Sequence, residues 1–283
     1  MSKKDLRTNI IYILMVIIVI LLIVIKKIDD KNKPDVDTSE VPVEKVEEDD
    51  SDDQSPEIST PVYKGTIGLI IDDFGYRNDN ISDGFLNLNA KLTYAVIPGH
   101  EHSKSFSEKA VDKNFEVIIH MPLENIFSTK GEEEFVLMTS MVSDTIQKRV
   151  HKAFNQIPVA IGMNNHQGSK GSADEHIMEN IGKVIKDKSL FFVDSRTTVN
   201  TIAESTMEKM GIPTARRNVF LDNEADVSKI TAQMILLSQV AEKKGFAIGI
   251  GHVKPITLEV LQKQIPVLEK KGFKFDFVSN LLH

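Results

Sequence analysis

Six short apolar runs in this 283-residue chain break off into a carboxylate or an imidazole. Ile71 leads into Asp72-Asp73, Ile119 into His120, and Met163 into Asn164-Asn165-His166. Val193 leads into Asp194-Ser195-Arg196, Leu221 into Asp222, and Gly251 into His252. Carboxylates serve as bases and metal ligands, and imidazole as acid, base or ligand near neutral pH. The chain has no cysteine, which excludes a thiol nucleophile, a thiolate zinc site, an iron–sulfur cluster and a disulfide scaffold. Any metal must rest on His, Asp, Glu or backbone oxygen. Two imidazoles and one carboxylate make a zinc set that leaves one position open for water. Each end taken singly has an ordinary explanation: Asp-Asp caps a helix, a lone His closes a structural hydrogen bond, Asn-Asn makes a turn. Six such ends in one domain point to a shared site.

The elements that must position these ends follow from the apolar pattern. Runs at Ile67–Ile71, Leu92–Ile97, Glu116–Ile119, Val159–Met163, Leu190–Val193, Asn218–Leu221 and Phe246–Ile250 read as strands, with Phe273–Val278 as a further candidate. Helical spacing in Val227, Ile230, Met234, Leu237 and Val240 separates two of them. Similar patterns lie near 103–114, 143–156, 174–187 and 256–271. Alternating strands and helices predict an α/β domain with a largely parallel sheet, whose C-terminal strand ends share one rim.

Upstream, the chain changes character twice. Ile10 to Ile25 is an unbroken run of sixteen apolar residues, about 24 Å long as a helix. Flanking Lys26 and Lys27 supply the remaining reach by snorkelling. No small-residue cleavage site follows it, so residues 1–28 are expected to be an uncleaved membrane anchor. Lysines on both sides leave its orientation undecided. Residues 29–61 are expected to be a disordered, self-repelling linker, because thirteen acids and few large apolar groups cannot offset the cost of ordering. This stretch carries the acidity of a chain whose net charge is −7, a balance that argues against a nucleic-acid partner. Residues 62–283 are left as one domain large enough for a substantial core.

The motifs resemble the divergent polysaccharide deacetylase family, a bacterial relative of the NodB-type carbohydrate esterases. The resemblance runs in order through Ile70-Ile71-Asp72-Asp73-Phe74-Gly75, His120-Met121-Pro122-Leu123-Glu124 and Asn164-Asn165-His166-Gln167-Gly168-Ser169. It continues through Phe191-Phe192-Val193-Asp194-Ser195-Arg196-Thr197, Arg217-Asn218-Val219-Phe220-Leu221-Asp222 and Ile248-Gly249-Ile250-Gly251-His252. It implies an incomplete (β/α) barrel of about seven parallel strands and a divalent metal, usually zinc. On that basis Asp73, His120 and His166 are the expected ligands and Asp72 the general base. His252 is the expected general acid, with Asp194 orienting it; Arg196 or Arg217 pairs with a carboxylate or binds substrate, and Asp222 supports them. Two departures stand out. Asn218 occupies a position where the family usually has Asp, which is expected to weaken the shell around the ligands. Val253 follows His252 where Pro is common. NodB-type enzymes proper carry two His on one strand, whereas only His120 is present here, so the second imidazole must come from His166.

The expected activity is metal-dependent removal of an acetyl group from a cell-wall or surface polysaccharide, with peptidoglycan among the candidates. A polymer substrate fits a single-pass anchor in a bacterial cell membrane with the domain outside the cytoplasm. Two alternatives remain: another metal hydrolase on the same site, and a non-catalytic glycan-binding or envelope-assembly module with a vestigial site. Aromatic residues are 6% with no Trp, so sugar stacking falls to Phe74, Tyr76 or Phe127. Limited proteolysis is expected to cut within 29–61 and leave a resistant fragment beginning near Val62. Resistance of the whole region at low protease ratios would refute the linker.

Overall fold

A computed structural model describes residues 63–127 and 132–283. All the described residues fall within the unit Ser59–His283. The expected span at 10–25 and the acidic linker lie outside the described residues. Among the described residues no helix is long and apolar enough to cross a membrane.

Among the described residues nine strands form one sheet: β1 (Gly65–Phe74), β2 (Thr93–Val96), β3 (Glu116–Leu123), β4 (Gly162–Gln167), β5 (Phe191–Asp194), β6 (Thr214–Arg216), β7 (Val219–Phe220), β8 (Phe246–His252) and β9 (Phe273–Phe275). Eight follow the order β6-β5-β4-β3-β2-β1-β8-β7, all paired in parallel, and β6 and β7 do not pair with each other. The architecture is an open parallel α/β half-barrel, one strand richer along its path than the seven expected. β9 pairs with Gly65–Ile67, the start of β1, whereas β2 takes the end of the same strand. Helices α1 (Asn80–Phe85), α2 (Ser103–Asp112), α3 (Ser143–Gln156), α4 (Glu175–Asp187), α5 (Ala203–Lys209), α6 (Val227–Lys244) and α7 (Pro255–Lys270) connect the strands. Side-chain caps start several of them: Asp79, Asp174 and Asp226 each accept backbone N–H groups in a first turn.

The period of two divides the core. Leu69 and Ile71 join the large layer between sheet and helices, while Ile70 belongs to a smaller inner cluster with Ala95, Ile118, Val193, Ala215, Ile248 and Ile250. The inner cluster is closed from below by the chain's own C-terminal segment. Val278 lies in that cluster with Leu281 packed against it, and a Cβ on inward-facing Gly68 would come within 2.8 Å of Leu281 and 3.1 Å of Val278. Thr93 and Glu116 receive the segment's free N–H groups, Val278 N to Thr93 Oγ1 at 3.2 Å and Ser279 N to Glu116 Oε1 at 3.3 Å. His283 completes the closure by exchanging two backbone hydrogen bonds with Thr214 on the edge of β6.

Asp276 anchors this segment. Its buried carboxylate accepts from Lys91 at 3.1 Å, Asn280 at 3.0 Å and Phe277 N at 3.0 Å, and also pairs with Lys274. Burial alone would raise its pKa; the lysine partners and the amide bonds outweigh burial and hold it well below the usual carboxylate range. A depressed folded pKa contributes stability that is complete above the unfolded value of about 3.9 and is lost as pH falls below it. Asp276→Asn is therefore expected to lower stability by about 1–3 kcal/mol at neutral pH. The deficit should shrink towards pH 2 when melting curves of parent and variant are compared.

Candidate metal-centred active site

The site begins with an irregularity in β1. Strict alternation would send Asp73 to the helical side, away from Asp72. Asp73 instead has φ of 71°, and the register against β2 slips between Ile71 and Phe74. The bulge turns both carboxylates to the rim and returns Phe74 to the outer core, where it stacks on Phe106 with centroids 4.0 Å apart. Asp is among the few residues with a side chain that tolerate this left-handed backbone. Gly75 follows with φ of 121°; a Cβ there would meet Ile97 O at 2.9 Å.

His120 on β3 and Asn164 on β4 are direct register partners, and both are buried. Asn164 joins the site together. Its Nδ2 donates to Asp72 Oδ1 at 2.9 Å, and its Oδ1 lies 2.7 Å from His120 Nδ1. A carboxylate can only accept, so the amide must face it with its nitrogen, and His120 must donate from Nδ1. Nε2 of His120 then faces Asp73 Oδ1, 3.3 Å away, and Asp72 Oδ2, 3.5 Å away. His166 brings Nδ1 to 3.2 Å from the same Asp73 oxygen, and its Nε2 meets Gln167 Nε2 at 3.0 Å.

Asp73 Oδ1 is buried and has no hydrogen bond of good geometry. A buried carboxylate oxygen between two imidazole nitrogens, with no hydrogen bond of good geometry, suits a cation. Ligand atoms of a tetrahedral zinc, at bonds of about 2.0–2.1 Å, stand about 3.3 Å apart, the separation found for both pairs. Asp73, His120 and His166 are the expected ligand set, and the donor set fits a divalent ion. Asn164 makes the kind of outer hydrogen bond that orients a metal-ligating His.

Across the cavity, Asp72 and His252 are register partners on β1 and β8. His252 Nδ1 lies 2.7 Å from Asp222 Oδ1, and its backbone N–H donates to Asp222 Oδ2 at 2.9 Å. Thr257 Oγ1 donates to the same carboxylate at 2.7 Å. Burial disfavours a charged His252, but the bond to Asp222 and the charge of Asp72 outweigh it and hold its pKa above the ordinary imidazole value. Burial likewise opposes ionisation of Asp222, yet its bonds to His252 keep its pKa lowered. Asp72 is pushed up by burial more than the charges of His120 and His252 pull it down.

Asp194 does not orient His252. Val193 faces the inner cluster, so alternation sends Asp194 to the opposite side, where it accepts from Arg196 N at 2.8 Å and Thr201 Oγ1 at 2.9 Å. Asp222 holds the role expected of Asp194. Asn218 also lies apart from the site. It exchanges two hydrogen bonds with the Ile248 backbone and lines a separate cavity with Arg216 and Phe246, so an Asp there is not needed for the ligand shell. Val253 N–H donates to Asp72 O at 3.1 Å, a bond that proline would forgo. Of the proposed stacking residues Phe74 is core, whereas Tyr76 and Phe127 are exposed.

The cavity above these groups has a volume of about 420 Å³. Asp72, His120, His166, Arg196, Arg217 and His252 line it, joined by Asn165, Ser195 and Phe220, which residue type alone did not single out.

Residues 69–282 match the family model described as divergent polysaccharide deacetylase. The chain belongs to that family. It is 34% identical to the uncharacterized protein YibQ of Escherichia coli K12 over 208 residues, 74% of this chain and 65% of the relative, so the match spans just under two thirds of YibQ. In fold it is similar to the uncharacterized protein ATU2773 of Agrobacterium tumefaciens C58, with a TM-score of 0.74 at 17% identity over 78% of this chain and 91% of that one. A mutant of BA3943 from Bacillus anthracis, a CE4-family pseudoenzyme with restored enzymatic activity, superposes with a TM-score of 0.52 at 17% identity, covering 78% and 68%.

Loss of an outer support costs about 10–100-fold in metal affinity, and loss of a ligand costs more. Asn164→Ala should therefore weaken zinc binding by about that factor, and His166→Ala should abolish stoichiometric metal. Elemental analysis and zinc titration check both. Stoichiometric metal in His166→Ala would refute the ligand assignment.

Proposed function

We propose that the domain is a metal-dependent hydrolase that removes acetyl groups from a carbohydrate. The observation that carries the reading is Asp73 Oδ1, buried without a hydrogen bond of good geometry between His120 and His166, two residues that line one cavity with Asp72 and His252. Asp73, His120 and His166 would hold a divalent ion, zinc first among candidates, which would supply Lewis acidity and lower the pKa of water towards neutrality. Asp72 accepts the proton of the attacking water. Its geometry is fixed by Asn164, so its free oxygen has one direction to face. His252, kept protonated by Asp222, donates to the departing nitrogen or oxygen of the sugar. The two groups reach the cavity side by side from paired strands, so base and acid can serve one carbonyl centre.

The likeness to a CE4 pseudoenzyme supports a second reading, glycan binding without turnover. The intact set of Asp72, Asp73, His120, His166 and His252 favours hydrolysis. With the apolar segment 10–25 as a single-pass anchor and the domain outside the cytoplasm, the substrate would be an acetylated envelope polysaccharide or peptidoglycan.

Asp72→Asn is expected to keep metal and melting temperature and to lower acetate release from acetylated oligosaccharides about 10²–10⁴-fold. Parental activity in this variant would remove Asp72 as the base. A general acid must be protonated, so the alkaline limb of the rate should lie above the ordinary imidazole value of about 6.5. Asp222→Asn removes the interactions that raise His252, and the limb should move to lower pH in a rate profile.

A further inference from the structure

The turn that follows β5 is held far more firmly than a surface loop requires. Arg196 has φ of 50°, a left-handed backbone that is costly for a long side chain. Three side chains keep it there. Asp194 Oδ1 accepts its N–H, Asn165 Oδ1 accepts Ser195 N at 2.9 Å, and Asn165 Nδ2 reaches Thr197 Oγ1 at 3.3 Å. Arg217 clamps the same turn, with Nε donating to Ser195 O at 2.7 Å and Nη2 to Arg196 O at 2.9 Å. The Arg217 guanidinium also lies over Phe220, 4.7 Å from the ring centroid.

This construction leaves both guanidiniums in the cavity without an anion. Among the described residues no carboxylate lies within ion-pair distance of Arg196 or Arg217, whereas the neighbouring Arg216 pairs with Glu204 at 3.3 Å. Arg217 spends Nε and one Nη2 bond on carbonyls and keeps Nη1 unspent. Ser195 Oγ, 5% exposed in the same cavity wall, is buried with no hydrogen-bond partner. Like charges held together in a partly buried place, beside an unsatisfied hydroxyl, are costly unless a ligand completes them.

Resting on the hydrolase reading of the same cavity, we propose that the sugar chain it accepts carries a carboxylate, received by Arg196, Arg217 and Ser195 Oγ. The fork of a guanidinium matches the two oxygens of a carboxylate, and the hydroxyl adds a third donor. Arg196 and Arg217 are then specificity residues, and Asp194 and Asn165 position them.

The test uses the full-length, zinc-loaded chain and two probes: an oligosaccharide containing N-acetylmuramic acid, and the same oligosaccharide with each carboxyl reduced to the alcohol. Calorimetry should show the carboxylate form binding roughly 10–100-fold tighter, with the preference falling as salt rises. In Arg196→Ala the ratio of the two affinities should collapse towards one, and Arg196→Lys should restore part of it. Equal affinity for the two probes, binding of neither, or a variant that weakens both alike overturns the proposal. Tighter binding of a phosphorylated counterpart overturns the choice of carboxylate. If Arg196→Ala melts early, Arg196→Gln and the parental ratio decide the matter. Acetate release is followed in parallel. Selective binding of the carboxylate form without acetate sustains this inference while removing the hydrolase reading, and equal acetate release from both probes overturns the inference.

Discussion

The side-chain amide of Asn164 has one arrangement that satisfies its surroundings. Asp72 takes its nitrogen, so its oxygen must receive a proton from His120, which in turn exposes the other ring nitrogen of that imidazole. Strands β1, β3 and β4 contribute the three members, and all are buried. A hydrogen-bond chain in a low-dielectric interior is strong when complete and expensive when broken. The same amide thus sets which nitrogen can bind metal and which carboxylate oxygen remains free.

That chain needs a rigid floor. Below the rim the barrel is filled by β-branched and small apolar side chains, and below those by the segment around Val278 and Leu281. The sheet stays open between β6 and β7, yet the edge of β6 is not left bare, because His283 takes its hydrogen bonds. The opening falls where Arg217 and Phe220 line the cavity. A closed barrel would have paired the backbone there, whereas the open one lets a side chain from beyond β6 reach back and clamp the turn after β5.

Much of this was legible from residue pattern. Seven apolar runs correspond to strands, and the polar residues after them gather at one rim because parallel strands end on the same side. What escaped follows from physics that periodicity does not encode. β6 is Thr-Ala-Arg, too short and too polar to register as a run, and α1 and α5 span six and seven residues, under two turns. Asp194 was misplaced because residue type says nothing of which face a strand presents; counting by twos from Val193 would have shown it. Asp222 was noticed without its partner, since the pairing of β7 with β8 joins residues 30 apart. Asn164 looked like a turn residue, and only its register opposite His120 gives it a role. The family resemblance supplied the ligand set that spacing alone left open.

The backbone at Asp73 ties the identity of this proposed ligand to conformation. Asp, Asn and Gly accept a φ of 71° at the least cost, whereas a β-branched residue would strain the bulge. Of the tolerated three, only Asp carries charge. Drift at this position is therefore channelled. A lineage that no longer needs the ion can slip to Asn or Gly and keep its fold intact, while one that needs a different ion cannot exchange the ligand without rebuilding the strand. Loss of function is the easy path from here, and change of metal the hard one.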